Sequence, residues 1–395
     1  MARHPGVTVQ SVRLRGLTFA KQYPSAVEPL RGTFVAQQVA ATADAVDWSV
    51  IAPVPWAPRS IGAALRRPQP PAREVIAGVP VSHPRYLVAP RRIGYRAVAD
   101  SMGRACAAQF RGALDAGASF VHAHALYPSG AAAADLTENR VPLVLTVHGS
   151  DLRSNVADTA LRDRLRRTAG SAAALIAVGP SLADDLVSLL EIPRDRIRMI
   201  PDAYDDSRFA YLPRPSHGGP VRILCVGRLE PVKGQDILIA AIALLLESGS
   251  DVELTVVGDG SLGGALRRSV DSGGLADRIR FTGALRGAAL LDEYARADLY
   301  IQPSRREGFG VAIVEALATG LPVVATRSGG PEHTVGAEDG VLVDAGGADS
   351  LAAGVKLAIE RLGAFDPRSI AHRAVQRYSR QTVGRQLVEL YRSLS

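Results

Sequence analysis

Short apolar runs alternate with helical stretches along the whole chain, and one Pro- and Gly-dense segment, residues 211–220, divides the alternation in two. Before the break, residues 48–52, 120–123, 143–147, 174–178 and 198–200 read as strands, with helices expected over 33–43, 94–114 and 181–190. After it, residues 221–226 and 299–302 read as strands and 235–247 as an amphipathic helix. Strands and helices in this rhythm build parallel, doubly wound sheets, so the expected fold class is α/β with two Rossmann-like domains. A length of 395 residues is comfortable for two domains that each bury a core. The expected layout is a first domain over 1–212, a linker over 213–220, a second domain over 221–378 and a closing helix within 379–395. Ligands of open parallel sheets bind outside the carboxyl ends of the strands, which puts any reaction in the cleft between two such domains. One strand departs from the pattern. Residues 12–19 place Arg13 and Arg15 among apolar residues, where a central parallel strand should be apolar throughout, so this strand is expected to start near Leu17 or to be shifted in register.

The most informative stretch for chemistry is Ser304-Arg305-Arg306-Glu307-Gly308-Phe309-Gly310-Val311, which runs on to Glu315 in an apolar-periodic helix. Glycines let a backbone approach a ligand closely, and a helix N-terminus offers unpaired N–H groups and a positive dipole end suited to a diphosphate. A carboxylate is unwelcome beside phosphate. Glu307 and Glu315 are therefore read as acceptors for hydroxyl protons on either side of the anion, with Glu315 two turns along the same helix face. The alternative for Glu315 is an ordinary surface glutamate.

A second constellation follows the strand over 221–226. Gly227-Arg228-Leu229-Glu230-Pro231-Val232-Lys233-Gly234 sets two cations around a strand-to-helix turn, where a guanidinium fork and an ammonium suit phosphate oxygens. Only three of the 46 basic residues are lysines, Lys21, Lys233 and Lys356, so a lysine here is notable in a chain that otherwise uses arginine. The alternative is a solvated loop cation.

These segments, with Val257-Gly258-Asp259-Gly260, Arg280-Phe281-Thr282-Gly283, Gly320-Leu321-Pro322-Val323 and Gly329-Gly330-Pro331-Glu332, resemble in order and spacing the motifs of the retaining glycosyltransferases of family 4, which have the GT-B fold. The likeness is strong over 221–362. It is weaker, though visible, in Tyr23-Pro24, Gly32-Thr33-Phe34-Val35, Val121-His122-Ala123-His124, Thr146-Val147-His148-Gly149 and Ile200-Pro201-Asp202. The resemblance implies a nucleotide diphosphate sugar as donor and a glycan, lipid-linked or small-molecule acceptor; UDP-, GDP- and ADP-sugars all fit these residues. By the same resemblance, Arg228 and Lys233 stabilise the leaving diphosphate and Glu307 orients the sugar hydroxyls. Glu315 accepts from the ribose, the backbone at Leu285 and Arg286 meets the base, Gly308 belongs to the donor site, and Phe309, Gly310 and Val311 supply N–H groups. His148 faces the donor sugar, or else simply caps a strand end, and Gly32 lets its loop near the phosphates. The last helix crosses back to brace the N-terminal domain. Family members are thought to need no nucleophile, the leaving phosphate taking the acceptor proton, and with no Asp-x-Asp at a strand end the transfer is expected to be metal-independent, with no cofactor. The chain departs from the family at Asp202-Ala203, where Asn-Gly is usual, and at Ser261 and Ser129, where proline and aspartate are common.

Composition excludes other classes. No apolar run approaches the roughly 20 residues that span a bilayer, and the first residues lack a signal-peptide apolar region, so a cytoplasmic location is expected. Cys106 and Cys225 have no metal spacing and read as reduced packing residues. His122 and His124 stand at i and i+2 without a third ligand, which is too few for zinc. The net charge is +7, and residues 59–111 carry Arg59, Arg66, Arg67, Arg73, Arg85, Arg91, Arg92, Arg96, Arg104 and Arg111 against Glu74 and Asp100. Such a segment suits an anionic membrane surface, and peripheral attachment at the inner face is one expectation, a solvated basic face the other. No nucleic-acid partner is expected. A nicotinamide oxidoreductase would need a Gly-x-Gly-x-x-Gly turn after an early strand, followed about 20 residues on by an acid, and no early strand here is followed by one. A catalytically silent sugar-nucleotide or glycan-binding protein on the same fold is the remaining alternative.

Overall fold

The computed structural model describes residues 13–56, 68–89, 93–214 and 217–394. The chain forms two compact units, one of residues 1–146, 155–175 and 385–395, the other of residues 147–154 and 176–384. The first half contributes strands β1 (Leu14–Ala20), β2 (Val46–Ile51), β3 (Val54–Trp56), β4 (Arg73–Ile76), β5 (Val79–Ser82), β6 (Arg85–Leu87), β7 (Phe120–His124), β8 (Leu143–Val147), β9 (Ala174–Ala177) and β10 (Ile197–Met199). The second contributes β11 (Val221–Val226), β12 (Val252–Val257), β13 (Ile279–Gly283), β14 (Leu299–Gln302), β15 (Val323–Arg327) and β16 (Gly340–Asp344).

In the first unit the ladder runs β8-β7-β1-β2-β5-β4, parallel except where β4 closes an antiparallel hairpin on β5. The expected late start of the first strand is corrected here. β1 begins at Leu14 and pairs in register with both neighbours, Leu14 against Val46 and Gly16 against Phe120. Its two arginines are tolerated because they sit at the amino end of the strand, where carbonyls are within reach: Arg15 donates to Ala116 O at 2.7 Å, and Arg13 pairs with Asp47 at 2.8 Å. From Gly16 onward the strand is fully buried.

His122 and His124 are buried and stacked, ring centroids 4.3 Å apart, but their surroundings are those of core residues. His122 bonds Tyr391 Oη through Nδ1 and Thr146 Oγ1 through Nε2, both at 2.7 Å. Among the described residues no group of three His, Cys, Asp or Glu is arranged to hold a metal. Tyr391, on the helix Arg380–Leu394, stacks on Phe120 at 4.4 Å and meets Trp48 edge-on at 5.8 Å. Its segment, 385–395, thus completes the core of the first unit.

The second unit is a wholly parallel sheet, β13-β12-β11-β14-β15-β16, with no outward alternation in its central strands. Ile223, Cys225, Leu254, Val256, Leu299 and Ile301 face helices Gln235–Glu247 and Ala348–Glu360 in one apolar cluster. Cys106 and Cys225 are free and buried, and burial pushes each thiol up to about 12. No described helix is long and apolar enough to cross a membrane.

Replacing Tyr391 with Ala removes a fully buried aromatic that three side chains contact, and should cost about 3–5 kcal/mol of unfolding free energy in urea. Tyr391→Phe loses only the bond to His122 and should cost about 1–2 kcal/mol. Equal losses for the two would mean that the hydroxyl, not the ring, holds the helix.

Candidate functional site

All pairings in the second sheet are parallel, so the carboxyl ends of its strands share one edge, and the loops that leave them carry the sequence-predicted residues. Glycines weld two of these loops together. Gly234, after the turn Pro231–Lys233, has φ +69°, and a Cβ there would lie 2.1 Å from Pro303 O. Arg305 N donates to Val232 O at 2.9 Å, and the Arg305 guanidinium forks onto the Asp236 carboxylate at 2.8 and 2.6 Å. Lys233 is thereby delivered to Glu307, with Nζ 2.6 Å from Oε2.

Glu307 is held from several sides. Oε2 also accepts from Gln302 Nε2 and Ser304 Oγ, each at 3.2 Å. Gln302 is buried, and its Oε1 accepts from Tyr300 Oη at 2.7 Å, so the carboxylate is tied through the strand end into the core. The backbone is fixed as well: Glu307 N donates to Ser328 O, Gly330 N donates to Glu307 O, and the Glu332 carboxylate takes the N–H groups of Ser328 and Gly329. The Gly329-Gly330-Pro331-Glu332 motif is therefore a cradle for Glu307. The expectation that Glu307 and Glu315 share a helix face is corrected: Glu307 makes an isolated parallel bridge with Gly329, and the helix Val311–Ala318 starts four residues later, after Gly310 turns the chain at φ +91°. Among the described residues no side chain caps that helix, at whose start Phe309, Gly310 and Val311 stand. The Phe309 ring is buried edge-on against Tyr378 at 5.5 Å, which sets the backbone of the turn.

Glu315 points elsewhere. Its Oε2 accepts from Tyr294 Oη at 3.1 Å, and burial pushes its carboxyl up to about 7 against the lowering by that bond. Arg228 is exposed, and its guanidinium has no hydrogen-bond or ion-pair partner among the described residues, while its carbonyl accepts from Gln235 Nε2. Leu285 and Arg286 follow β13, where Asp259 Oδ2 accepts from Ala284 N at 3.1 Å, which gives the Gly-Asp-Gly motif its task. His148 follows β8, and its Nδ1 lies 3.3 Å from the buried Asp202 Oδ2. Its carbonyl packs on Gly308 so closely that a Cβ there would come within 2.3 Å, which brings His148 beside the Glu307 turn. Gly32, in the first unit, caps the helix Thr33–Ala41 at φ +64°, and a Cβ would sit 2.3 Å from Gln22 backbone atoms.

Sequence reasoning missed Gln302, Ser304, Tyr294 and Tyr300. One signal was present: a glutamine closing an otherwise apolar buried strand must find partners there.

Two family models match: Glycosyltransferase Family 4 over residues 59–208 and Glycosyl transferases group 1 over residues 213–368. A GDP-mannose-dependent alpha-(1-6)-phosphatidylinositol monomannoside mannosyltransferase of Mycolicibacterium smegmatis is 31% identical over 268 residues, 63% of this chain and 69% of the relative. A D-inositol 3-phosphate glycosyltransferase of Paenarthrobacter aurescens is 32% identical over 60% of this chain and 62% of its own length. Among solved structures, a sucrose-phosphate synthase of Thermosynechococcus elongatus superimposes with TM-score 0.78 at 22% identity, covering 97% of this chain and 99% of the other. Anabaena HepE in complex with UDP and glucose does so at 0.72 and 21%, covering 97% and 100%.

The Glu315 carboxyl supplies a pH signature. Unfolded it titrates near 4.5 and folded near 7, so between those values the folded chain keeps a proton the unfolded chain has lost, and stability falls as pH rises through that window. The fall amounts to up to about 3 kcal/mol. Urea unfolding of Glu315→Gln at pH 5 and pH 8 should show this slope reduced by that amount, and a slope equal to that of the unaltered protein would mean the carboxyl is hydrated.

Proposed function

We propose that this chain, which belongs to the family 4 glycosyltransferases and has their GT-B fold, moves a sugar from a nucleotide diphosphate sugar to an acceptor hydroxyl with retention and without a metal. The observation that carries this reading is the Lys233–Glu307 pair at 2.6 Å beside a helix N-terminus that no described side chain caps. An ammonium has three N–H donors. Lys233 can therefore keep Glu307 oriented and still donate to a diphosphate oxygen, while the exposed Arg228 adds a second cation. As the bond from the anomeric carbon to the diphosphate oxygen breaks, both cations meet the charge that develops, the task for which preorganised groups are most effective. The acceptor oxygen bonds the anomeric carbon on the face the diphosphate leaves, and its proton passes to the departing phosphate oxygen. Glu307 Oε1, to which no described residue donates, is left for a sugar hydroxyl. Glu315 takes the ribose, and the loop at Leu285 and Arg286 takes the base.

The relative that acts on phosphatidylinositol monomannoside supports a lipid-linked acceptor, and exposed residues of the first unit suit a membrane surface. Trp56 and Leu87 are exposed and paired across β3 and β6, Ile93 is 65% exposed, and Arg73, Arg85, Arg104 and Arg111 are exposed too. Arg59, Arg66, Arg67, Arg91 and Arg92 lie outside the described residues. Basic side chains near an anionic surface contribute about 1 kcal/mol each.

Incubation with a panel of UDP-, GDP- and ADP-sugars, followed by product analysis, tests the reaction, and binding without turnover for any donor would favour a sugar-nucleotide-binding protein instead. With the active donor, Lys233→Ala should lower kcat about 10²–10³-fold, about 2.7–4 kcal/mol of barrier. Glu307→Gln should mainly lower kcat, and Glu315→Gln should mainly raise donor KM and weaken nucleotide diphosphate binding in calorimetry. Reversal of the two glutamate effects would mean the nucleotide lies the other way along the turn.

For the membrane, flotation at low salt should carry the protein with anionic but not with neutral vesicles. Equal flotation with both removes the proposal.

A further inference from the structure

We infer that Arg214 is a positioning residue for the ribose contact: it ties the carboxyl ends of two helices together and so holds the Tyr294 hydroxyl on the Glu315 carboxylate. This role rests on the reading of Glu315 as the ribose acceptor. Arg214 lies in the Pro- and Gly-dense segment 211–220, within the second unit. A guanidinium carries five N–H donors, and here each has an acceptor. Nε donates to Ala297 O at 2.9 Å and Nη2 to Tyr294 O at 3.1 Å, both at the end of the helix Gly287–Arg296. Nη1 donates to Thr319 O at 2.8 Å and Nη2 to Thr319 Oγ1 at 3.2 Å, where the helix Val311–Ala318 stops. The remaining bond, from Nη1 to Leu212 O at 3.1 Å, folds the arginine back on its own segment, and Leu212 N donates to Thr319 O as well. Two helix carboxyl ends, each the negative end of a dipole, thus meet one cation.

Each helix carries one member of the ribose contact. Tyr294, whose carbonyl the arginine binds, donates its Oη to Glu315 Oε2 at 3.1 Å, and Thr319 N donates to Glu315 O at 3.1 Å. The four residues therefore close a ring, from Arg214 to Tyr294, to Glu315, to Thr319 and back to Arg214. Tyr294 is fully buried, stacked on Tyr300 at 6.2 Å and edge-on to Phe209 at 5.4 Å, so its hydroxyl moves only with its helix. With Oε2 engaged, Glu315 Oε1, to which no described residue donates, is left for a ribose hydroxyl. The helix of Tyr294 begins at Gly287, directly after Leu285 and Arg286, so the clamp also fixes the far end of the element that starts at the base loop. A lysine in place of Arg214 would keep the charge but has no fork to span both helix ends.

The test is the preference for a ribose. UDP, GDP and ADP are titrated calorimetrically into the full chain, and the tightest binder is compared with its analogue lacking both ribose hydroxyls. Glu315→Gln should reduce the ratio of the two affinities. Tyr294→Phe and Arg214→Lys should each reduce it about 3- to 10-fold while leaving the affinity of the analogue within about twofold. The double variant should lose no more than the larger single effect, because both changes act through one contact. An unchanged ratio in Arg214→Lys, equal weakening of both ligands, or additive losses in the double variant overturns the inference. Where Arg214→Lys fails to fold, Thr319→Val removes one acceptor of the clamp and should lower the ratio about twofold, and an unchanged ratio there is equally decisive. A ratio unmoved by Glu315→Gln removes the ribose reading and the inference with it, whereas a ratio moved by Glu315→Gln but not by Arg214→Lys removes the inference alone.

Discussion

The chemistry of the second unit depends on one constraint, that its six strands run parallel. Parallel strands send every crossover out at the carboxyl edge, so the loops after β11, β12, β13, β14 and β15 emerge side by side without any sequence signal that they should meet. The Lys233 turn, the Asp259 turn, the Leu285 loop, the Glu307 turn and the Glu332 cradle are those loops in order. Their side chains can then be separated by 50 or 70 residues in sequence and still act on one ligand.

Position alone would leave the loops soft, and backbone contact makes them stiff. The Lys233 turn touches the Glu307 turn main chain to main chain because Gly234 has no Cβ, and Arg305 forks across the same seam. The result is a carboxylate whose orientation is set by the core: Tyr300 fixes Gln302, Gln302 and Ser304 fix Glu307, and Lys233 balances its charge. Such a group needs little rearrangement when a ligand arrives, which is the physical content of preorganisation.

The architecture was legible in the sequence because alternating apolar runs and amphipathic helices have only a few packed solutions. Most strand and helix limits fell within a residue or two, as at Leu143–Val147, Val221–Val226 and Gln235–Glu247, whereas the helix expected from residue 94 begins at Val98. The family followed from motif order, which the matches to family models and relatives bear out. Three things were less legible. Arg13 and Arg15 disguised β1, since a pattern argument cannot see that a long side chain escapes past a strand end. Glu307 was assigned to a helix because spacing of eight residues fits a helical face, and nothing in that spacing reveals that Gly310 delays the helix. Tyr294 and Tyr300 carried no signal of a site role, since their hydroxyls, which reach Glu315 and Gln302, find those partners only in tertiary structure.

The helix carrying Tyr391 has a temporal consequence. The aromatic pocket formed by Trp48, Phe120 and His122 is filled by a residue 269 positions downstream of that histidine. On a ribosome adding about 5–20 residues per second, the first half waits roughly 15–50 s for the ring that closes its core. During that interval the second sheet, whose own core lies within residues 223–358, can already be assembled. The amino-terminal half is thus the first to be made and the last to be finished, and for those seconds its open aromatic pocket is the surface that chaperones would find.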